Sequence, residues 1–366
     1  MGATYLYGIV PTNECVTVPG DGVSAQPGGI HTVPYNDIAA VVGPSDLEDY
    51  SGMGREDLVR VLLGHQRVVE QVMRAFPVLP AKFSTVLAGE DRVVDLLAQG
   101  HDLFLAELDR LEGCAQMEVL VQWDLGDVFA DLGQDERVAR LRADAETASP
   151  ERVKELQILA GRLVQALLEE KRAAYQARLS SRLREPGIEM LSNPCMDDSM
   201  VMNVALLANE AGRGRLDALL PKLDEEFEGR LTFRCIGPLP PYSFATLELE
   251  FPIFSDIDRA RRLLELPEVV TARQVKESYH RLAARFHPDR NPSLVDGVDT
   301  MSDLSWAYGL LTRFVESQVE RNRQVDRDDR RGTGGGKLRD VPCPLDVHSV
   351  ERALLFDICR QETPVG

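Results

Sequence analysis

The segment SPERVKELQILAGRLVQALLEEKRAAYQARLSSRL constrains the chain more than any other. It opens on Ser149, a favoured N-cap type, followed by Pro150 at the first helical position, where no amide is needed. No breaker follows until Glu185-Pro186-Gly187, and strand-like alternation is absent from Asp135 to Arg184. The spacing therefore predicts one long helix. A long, charged helix bridges two domains or lies along one side of a sheet, and 366 residues are too many for one ordinary core.

Around this helix the sequence reads as an α+β protein. TYLYGIV (4–10) alternates and is rich in aromatic and β-branched residues, which predicts a strand ended by Pro11; two more strands are expected in VSAQPGGIHTVPYNDIAAVVGP. A helix from Arg55 or Glu56 to Phe76 carries Leu58, Leu62, Val69 and Val72 at helical spacing, and Pro77 stops it. The prolines of PVLP impose an extended segment before a second helix over 90–111. MEVLVQWD is another strand, with Trp123 packed on a helix. After the long helix, SMVMNVALLAN, LTFRCIGP and YSFATLELEF read as strands, with a helix over 214–229. This β-α-β-β order fits part of a ferredoxin-like unit whose missing elements come from the preceding segment. The expected division is an N-terminal α+β domain (1–130), a helical bridge (131–187), a ferredoxin-like α+β domain (188–254), a helical hairpin (255–318) and a charged, Gly-rich tail (319–366) in which VHSVERALLFDI forms a short docking helix.

Composition removes several classes of function. A formal net charge of −18 argues against a dedicated nucleic-acid binder, which needs a basic face. No apolar run approaches the length of a membrane span, and the first residues lack the pattern of a secretory signal; the context of Gly2 speaks against myristoylation. Six scattered cysteines without a CxxC pair predict free thiols in a reducing cytosol, and the histidines show no ligand spacing, so neither metal nor cofactor is expected. GTGGGK lacks the GxxxxGK[ST] spacing and a preceding strand, and reads as a linker. With no nucleophile elbow, metal cluster or phosphate loop, no catalytic residue is assigned and no enzyme is expected. Trp123 and Phe244 are expected in the core, and His65 is expected to be a satisfied surface or core histidine rather than a functional group.

The stretch RFHPDRNP stands between two helical stripes. Val275, Tyr279, Leu282 and Phe286 fall on one face of the first helix; Met301, Leu304, Tyr308, Leu311 and Val315 fall on one face of the second. Two antiparallel helices can zip along these stripes. Arg273, Lys276, His280, Arg281 and Arg285 then form a basic outer face, diluted by Glu277. Pro288 and Pro292 stiffen the loop that holds His287 and Asp289.

The stripes, the His287-Pro288-Asp289 triplet and SDLSWAYGLL together resemble a J-domain over about 60 residues. The resemblance implies that Lys276, Arg281, Arg285, His287, Pro288 and Asp289 contact a DnaK-type chaperone; otherwise the helices pack on their own chain. An aromatic residue is missing before the leucines of IDRARRLLELPE, and no fourth helix is evident.

A wider resemblance covers most of residues 4–254. TYLYGIV, LLGHQRVVEQVMRAFPVLPAKFSTVL, MEVLVQWD and IGPLPPYSFATLELEF are similar to the gas vesicle GvpL/GvpF family, with KFST where RFGT is common. The most specific blocks hold Pro80, Lys82 and Phe83, and Pro238, Pro240, Pro241 and Tyr242, expected either to touch a shell protein or to sit in the core. The resemblance implies a non-catalytic assembly or minor structural protein, cytoplasmic and gas vesicle-associated, that serves buoyancy. Its implied partners are the hydrophobic shell protein GvpA and other gas vesicle accessory proteins, without nucleic acid or membrane. The alternative is a J-domain co-chaperone adaptor that delivers a client to a DnaK-type chaperone.

Overall fold

The structure, a computed structural model, describes residues 2–20, 22–24, 29–46, 50, 52–184, 188–286, 297–329 and 341–361, with side chains omitted at 297–300 and 320–329. Its contacts gather into two compact units, one formed by Met1–Arg110 with Thr246–Cys359 and the other by Leu111–Ala245 with Arg360–Gly366.

The first unit is built on an antiparallel sheet. Strands β1 (Thr4–Val10), β2 (Thr17–Val18), β3 (Ile30–Tyr35), β4 (Ile38–Pro44) and β5 (Leu79–Pro80) run in the order β2-β3-β4-β1-β5, and β6 (Val86–Leu87) also pairs with β1. Every residue of β1 is buried, so this strand is central. Helix α1 (Arg55–Met73) covers it through Val61, His65, Val68, Val69 and Val72. Leu62, expected in the inward stripe, is exposed: α1 carries apolar residues on two faces, and the β-branched set is the one that packs. Helix α2 (Glu90–Leu111) has the expected bounds. Gly8 lets β5 approach, since a Cβ there would lie 2.7 Å from the Leu79 carbonyl oxygen.

The second unit is ferredoxin-like. It holds β7 (Cys114–Trp123), α3 (Leu125–Leu132), α4 (Glu136–Glu146), α5 (Pro150–Leu183), β8 (Glu189–Ser192), β9 (Met200–Asn209), α6 (Glu210–Glu226) and β10 (Leu231–Leu239). The sheet order β10-β7-β9-β8, antiparallel throughout, is that of a βαββαβ unit with α5 and α6 as its crossovers. Ser149 accepts from the Arg152 amide and caps α5, with Pro150 at its start. Alternate residues Met117, Val119, Val121 and Trp123 meet Leu167, Leu168, Leu179 and Leu183 of α5 and Leu216 and Leu223 of α6 in one core. The buried Arg172 ties α5 to β9: its Nε donates to the Met200 carbonyl at 3.0 Å, and its guanidinium lies 5.7 Å from the centre of the Trp123 ring.

The rest of the first unit mixes four helices with four short strands among the described residues. Strand β11 (Thr246–Glu250) leads into α7 (Phe254–Leu263), β12 (Val269–Val270), α8 (Ala272–Phe286), α9 (Gly297–Asp329), β13 (Cys343–Pro344), α10 (Val347–Glu351) and β14 (Leu355–Cys359). Helices α7, α8 and α9 share a core of Ile257, Leu264, Val275, Leu282, Leu304, Leu311, Phe314 and Val315. Strand β14 returns to pair antiparallel with β11 from Thr246↔Cys359 to Glu250↔Leu355.

Several expectations need correction at this level. Strand β7 and helix α5, expected in the N-terminal domain and as a bridge, are the first strand and first crossover of the ferredoxin-like unit, because β7 finds its partners in β9 and β10. The helical hairpin does not stand apart over 255–318; it shares a unit with the N-terminal sheet, to which β11 is joined by the Lys82 amide donating to the Leu247 carbonyl. VHSVERALLFDI is one short helix followed by a strand, since Leu355 to Cys359 fit the pairing face of β11. Helix α6 starts earlier than expected, at Glu210, because Asn209 accepts from the Gly212 amide as its cap.

Candidate functional site

Helix α8 begins at a reciprocal cap. The Gln274 amide donates to Thr271 Oγ1 at 3.3 Å, and the Thr271 amide donates to Gln274 Oε1 at 2.8 Å. Its inward stripe packs as expected, with Val275 and Leu282 buried and the Tyr279 and Tyr308 rings stacked 4.3 Å apart across the seam with α9. The Ser278 hydroxyl donates to the Leu264 carbonyl and fixes α8 to the end of α7.

The outer side of α8 presents Arg273, Lys276, His280 and Arg285 to solvent. A groove between α8 and α9 is lined by Arg273, Lys276, His280, Tyr308, Thr312 and Glu316. Glu277 lies 3.9 Å from Arg273, and the Arg285 guanidinium lies 5.3 Å from the centre of the Phe286 ring. Arg281, expected in the basic face, is instead held by Glu265 at 2.7 Å and donates to Ser278 at 3.0 Å. Glu265 reaches it from a left-handed backbone position (φ 52°), which the local pattern does not announce. His287, Pro288 and Asp289 lie outside the described residues.

The two proline-rich blocks are placed by backbone pairing. Pro80 is buried in β5, and the next residues bond on both sides: the Ala81 amide donates to the Tyr7 carbonyl at 2.9 Å and the Lys82 amide to the Leu247 carbonyl at 2.8 Å. Lys82 Nζ reaches Glu248 at 3.0 Å on the exposed side of β11. In the other block Pro238 is exposed, Pro240 and Pro241 are buried, and Tyr242 is half-buried. Gly237 has φ +144°, and a Cβ on it would lie 2.8 Å from the Gln116 carbonyl oxygen, so this bulge of β10 requires glycine. The turn that follows is pinned by the Ser243 amide, which donates to Gln116 Oε1 at 2.9 Å.

Phe83 belongs to an aromatic cluster that the sequence did not reveal. Its ring centre lies 6.0 Å from those of Tyr50 and His65, and His65 also meets Tyr5 and Tyr7. The Ser84 amide donates to the Tyr5 hydroxyl at 3.0 Å, and the same hydroxyl is hydrogen-bonded to His65 Nδ1 at 3.1 Å. Burial lowers the His65 pKa to about 4. The imidazole is therefore neutral at ordinary pH and part of the core. The signal in the sequence was Tyr5 and Tyr7 at strand spacing facing a helix with one central histidine.

Among the described residues no group of three or more His, Cys, Asp or Glu is placed to hold a metal ion, and no helix is long and apolar enough to cross a membrane. What α8 offers is surface, a basic helix face with an adjoining groove; each proline-rich block lies at a strand of its own sheet.

Residues 3–246 match the family model described as gas vesicle synthesis protein GvpL/GvpF. Gas vesicle protein F of Dolichospermum flosaquae is 26% identical over 250 residues, covering 67% of this chain and 98% of that protein. The crystal structure of GvpF from Anabaena sp. PCC7120 has a similar fold, with a TM-score of 0.53 and 22% identity over 66% of this chain and 95% of that one. The C-terminal part resembles the chaperone protein DnaJ of Acidithiobacillus ferrooxidans, 34% identical over 74 residues, which are 20% of this chain and 18% of that protein.

Proposed function

Because the chain belongs to the gas vesicle synthesis protein GvpL/GvpF family, we propose that its role in gas vesicle assembly is to bind the hydrophobic shell protein GvpA and keep it from aggregating before it is built in. The observation that carries this reading is the family match over 3–246, which takes in both proline-rich blocks. A subunit that forms an apolar wall exposes sticky surface until it is assembled, and such surface aggregates. A partner with a net charge of −18 that covers this surface reversibly resists self-association. The site of action is the cytoplasm and the growing vesicle, and the proposal assigns the chain no reaction. Co-expression of GvpA with the full chain, followed by pull-down, tests it. GvpA is expected in the eluate and its insoluble share is expected to fall; no complex and no change in solubility overturn the reading.

A second reading rests on α8 and the resemblance of the C-terminal part to DnaJ. In it, the basic face of α8 engages a DnaK-type chaperone, so that shell subunits pass between the two proteins. The full chain is expected to stimulate the ATPase of such a chaperone, and His287→Gln is expected to abolish the stimulation. Equal rates with the two proteins retire this reading.

A further inference from the structure

Helix α1 is apolar on the side that faces away from β1 as well as on the side that covers it. Val59, Leu62 and Leu63, at i, i+3 and i+4, are 48, 43 and 49% exposed. Single exposed leucines are ordinary, but three large apolar side chains on adjoining turns of one face form a patch. Beside it, Arg60, Arg67 and Arg74 recur every seven residues, all exposed, and so form one edge along the patch. Arg60 lies 2.5 Å from Asp57, and Arg67 Nε donates to the Leu63 carbonyl at 3.1 Å. Further along the face, Gln66 donates to Glu70 at 2.8 Å. Thus a chain whose net charge is −18 places an arginine row at heptad spacing next to an exposed apolar stripe.

We propose that the solvent face of α1 is a docking surface for an amphipathic helix of a partner protein, one that carries acidic residues along the edge of its apolar stripe. An apolar stripe with a charged edge at this period is what a helix reads in another helix: the stripe supplies desolvation and the edge supplies register and partner choice. The arginine row selects acidic residues. A stripe of three residues fits a weak, reversible contact rather than a permanent one. The proposal rests on the reading above that the chain receives another protein, and assigns that receipt to α1.

The test uses the full chain and synthetic amphipathic peptides with either Glu or Lys beside the apolar stripe, with fluorescence anisotropy as the readout. The Glu peptide is expected to bind. Its Kd is expected to rise at least about tenfold in L62D/L63D and in R60E/R67E/R74E. The Lys peptide is expected to prefer the charge-reversed protein. Because these positions are exposed, thermal midpoints close to wild type are expected to show that the variants fold. Unchanged affinity in both variants overturns the surface, as does equal binding of a Glu peptide whose stripe is scrambled. A wild-type dimer lost in L62D/L63D assigns the face to a second copy and also overturns it. Pull-down of GvpA with the same variants separates the two ideas: retention by wild type and variants alike sinks the surface and leaves the reading. Peptide binding without GvpA retention by wild type does the reverse.

Discussion

Replacing Gly8 with valine is expected to destabilise the protein by about 3 kcal/mol or more, an overpacking cost at the upper end of its usual range. The position lies inside β1, where Gly8 pairs with Pro80 and Ile9 with Leu79. A Cβ there would stand 2.7 Å from the Leu79 carbonyl oxygen, 3.1 Å from Val78 Cγ2 and 3.2 Å from Pro80 Cα. Two of these three atoms are backbone, so relief requires the PVLP segment to move. That movement also strains the next contacts along the segment, the Ala81 amide to Tyr7 and the Lys82 amide to Leu247. Urea unfolding checks the expectation as a lower midpoint. Gly161→Ala in α5, with open space around the new Cβ, is the control; it is expected to be neutral or to stabilise by up to about 1 kcal/mol. A wild-type midpoint for Gly8→Val would show that β5 does not press on β1.

Acidification is expected to weaken the first unit through His65. Folding lowers its pKa from the ordinary 6.5 to about 4 by burial. A histidine depressed in this way contributes its full stability above pH 6.5, because both states are then neutral. As pH falls from 6.5 to 4 the unfolded chain takes up a proton that the folded chain refuses, and about 3 kcal/mol is lost across that window. His101 acts in the other direction. Burial opposes its charge, but the hydrogen bonds and charges of Asp37 and Asp102 outweigh burial and raise its pKa. Its stabilising contribution is present below 6.5 and fades as pH rises through the raised value. Comparing wild type with His65→Gln isolates the acid limb: the slope of stability against pH between 6.5 and 4 is expected to flatten in the variant. The same slope in both proteins would mean that His65 is not the group that resists protonation.

Local chemistry made some elements legible and left others hidden. Helix α5 was readable because Ser149, Pro150 and the Glu185-Pro186-Gly187 stop are signals contained in the segment itself. The inward stripe of α8 was readable for the same reason. Strand β7 was recognised as a strand, but its partners lie far along the chain, in β9 and β10, and nothing in ten alternating residues says which sheet they join. Strand β14 was hidden in a segment whose apolar spacing suits a helix, and only pairing with β11 decides it. Leu62 was misplaced because α1 has two apolar faces, and a periodicity cannot say which one meets a sheet. At the candidate site, the capture of Arg281 by Glu265 depends on a backbone turn that one sequence does not display.

The pairing of β11 with β14 has a consequence for how the molecule is made. Ribosomes deliver chains from the amino terminus, and domains generally fold as they emerge. The ferredoxin-like unit takes nearly all its contacts from one continuous stretch, whereas the other unit needs residues from both sides of that stretch. Its sheet extension at Leu247 must wait for Leu355 to Cys359, among the last described residues to be synthesised. The nascent protein thus passes through a stage in which the ferredoxin-like unit is finished while the edge of β11 stands bare. Messages cut short after the family-matching region would strand the product at that stage, with its backbone amides and carbonyls open to any extended chain nearby.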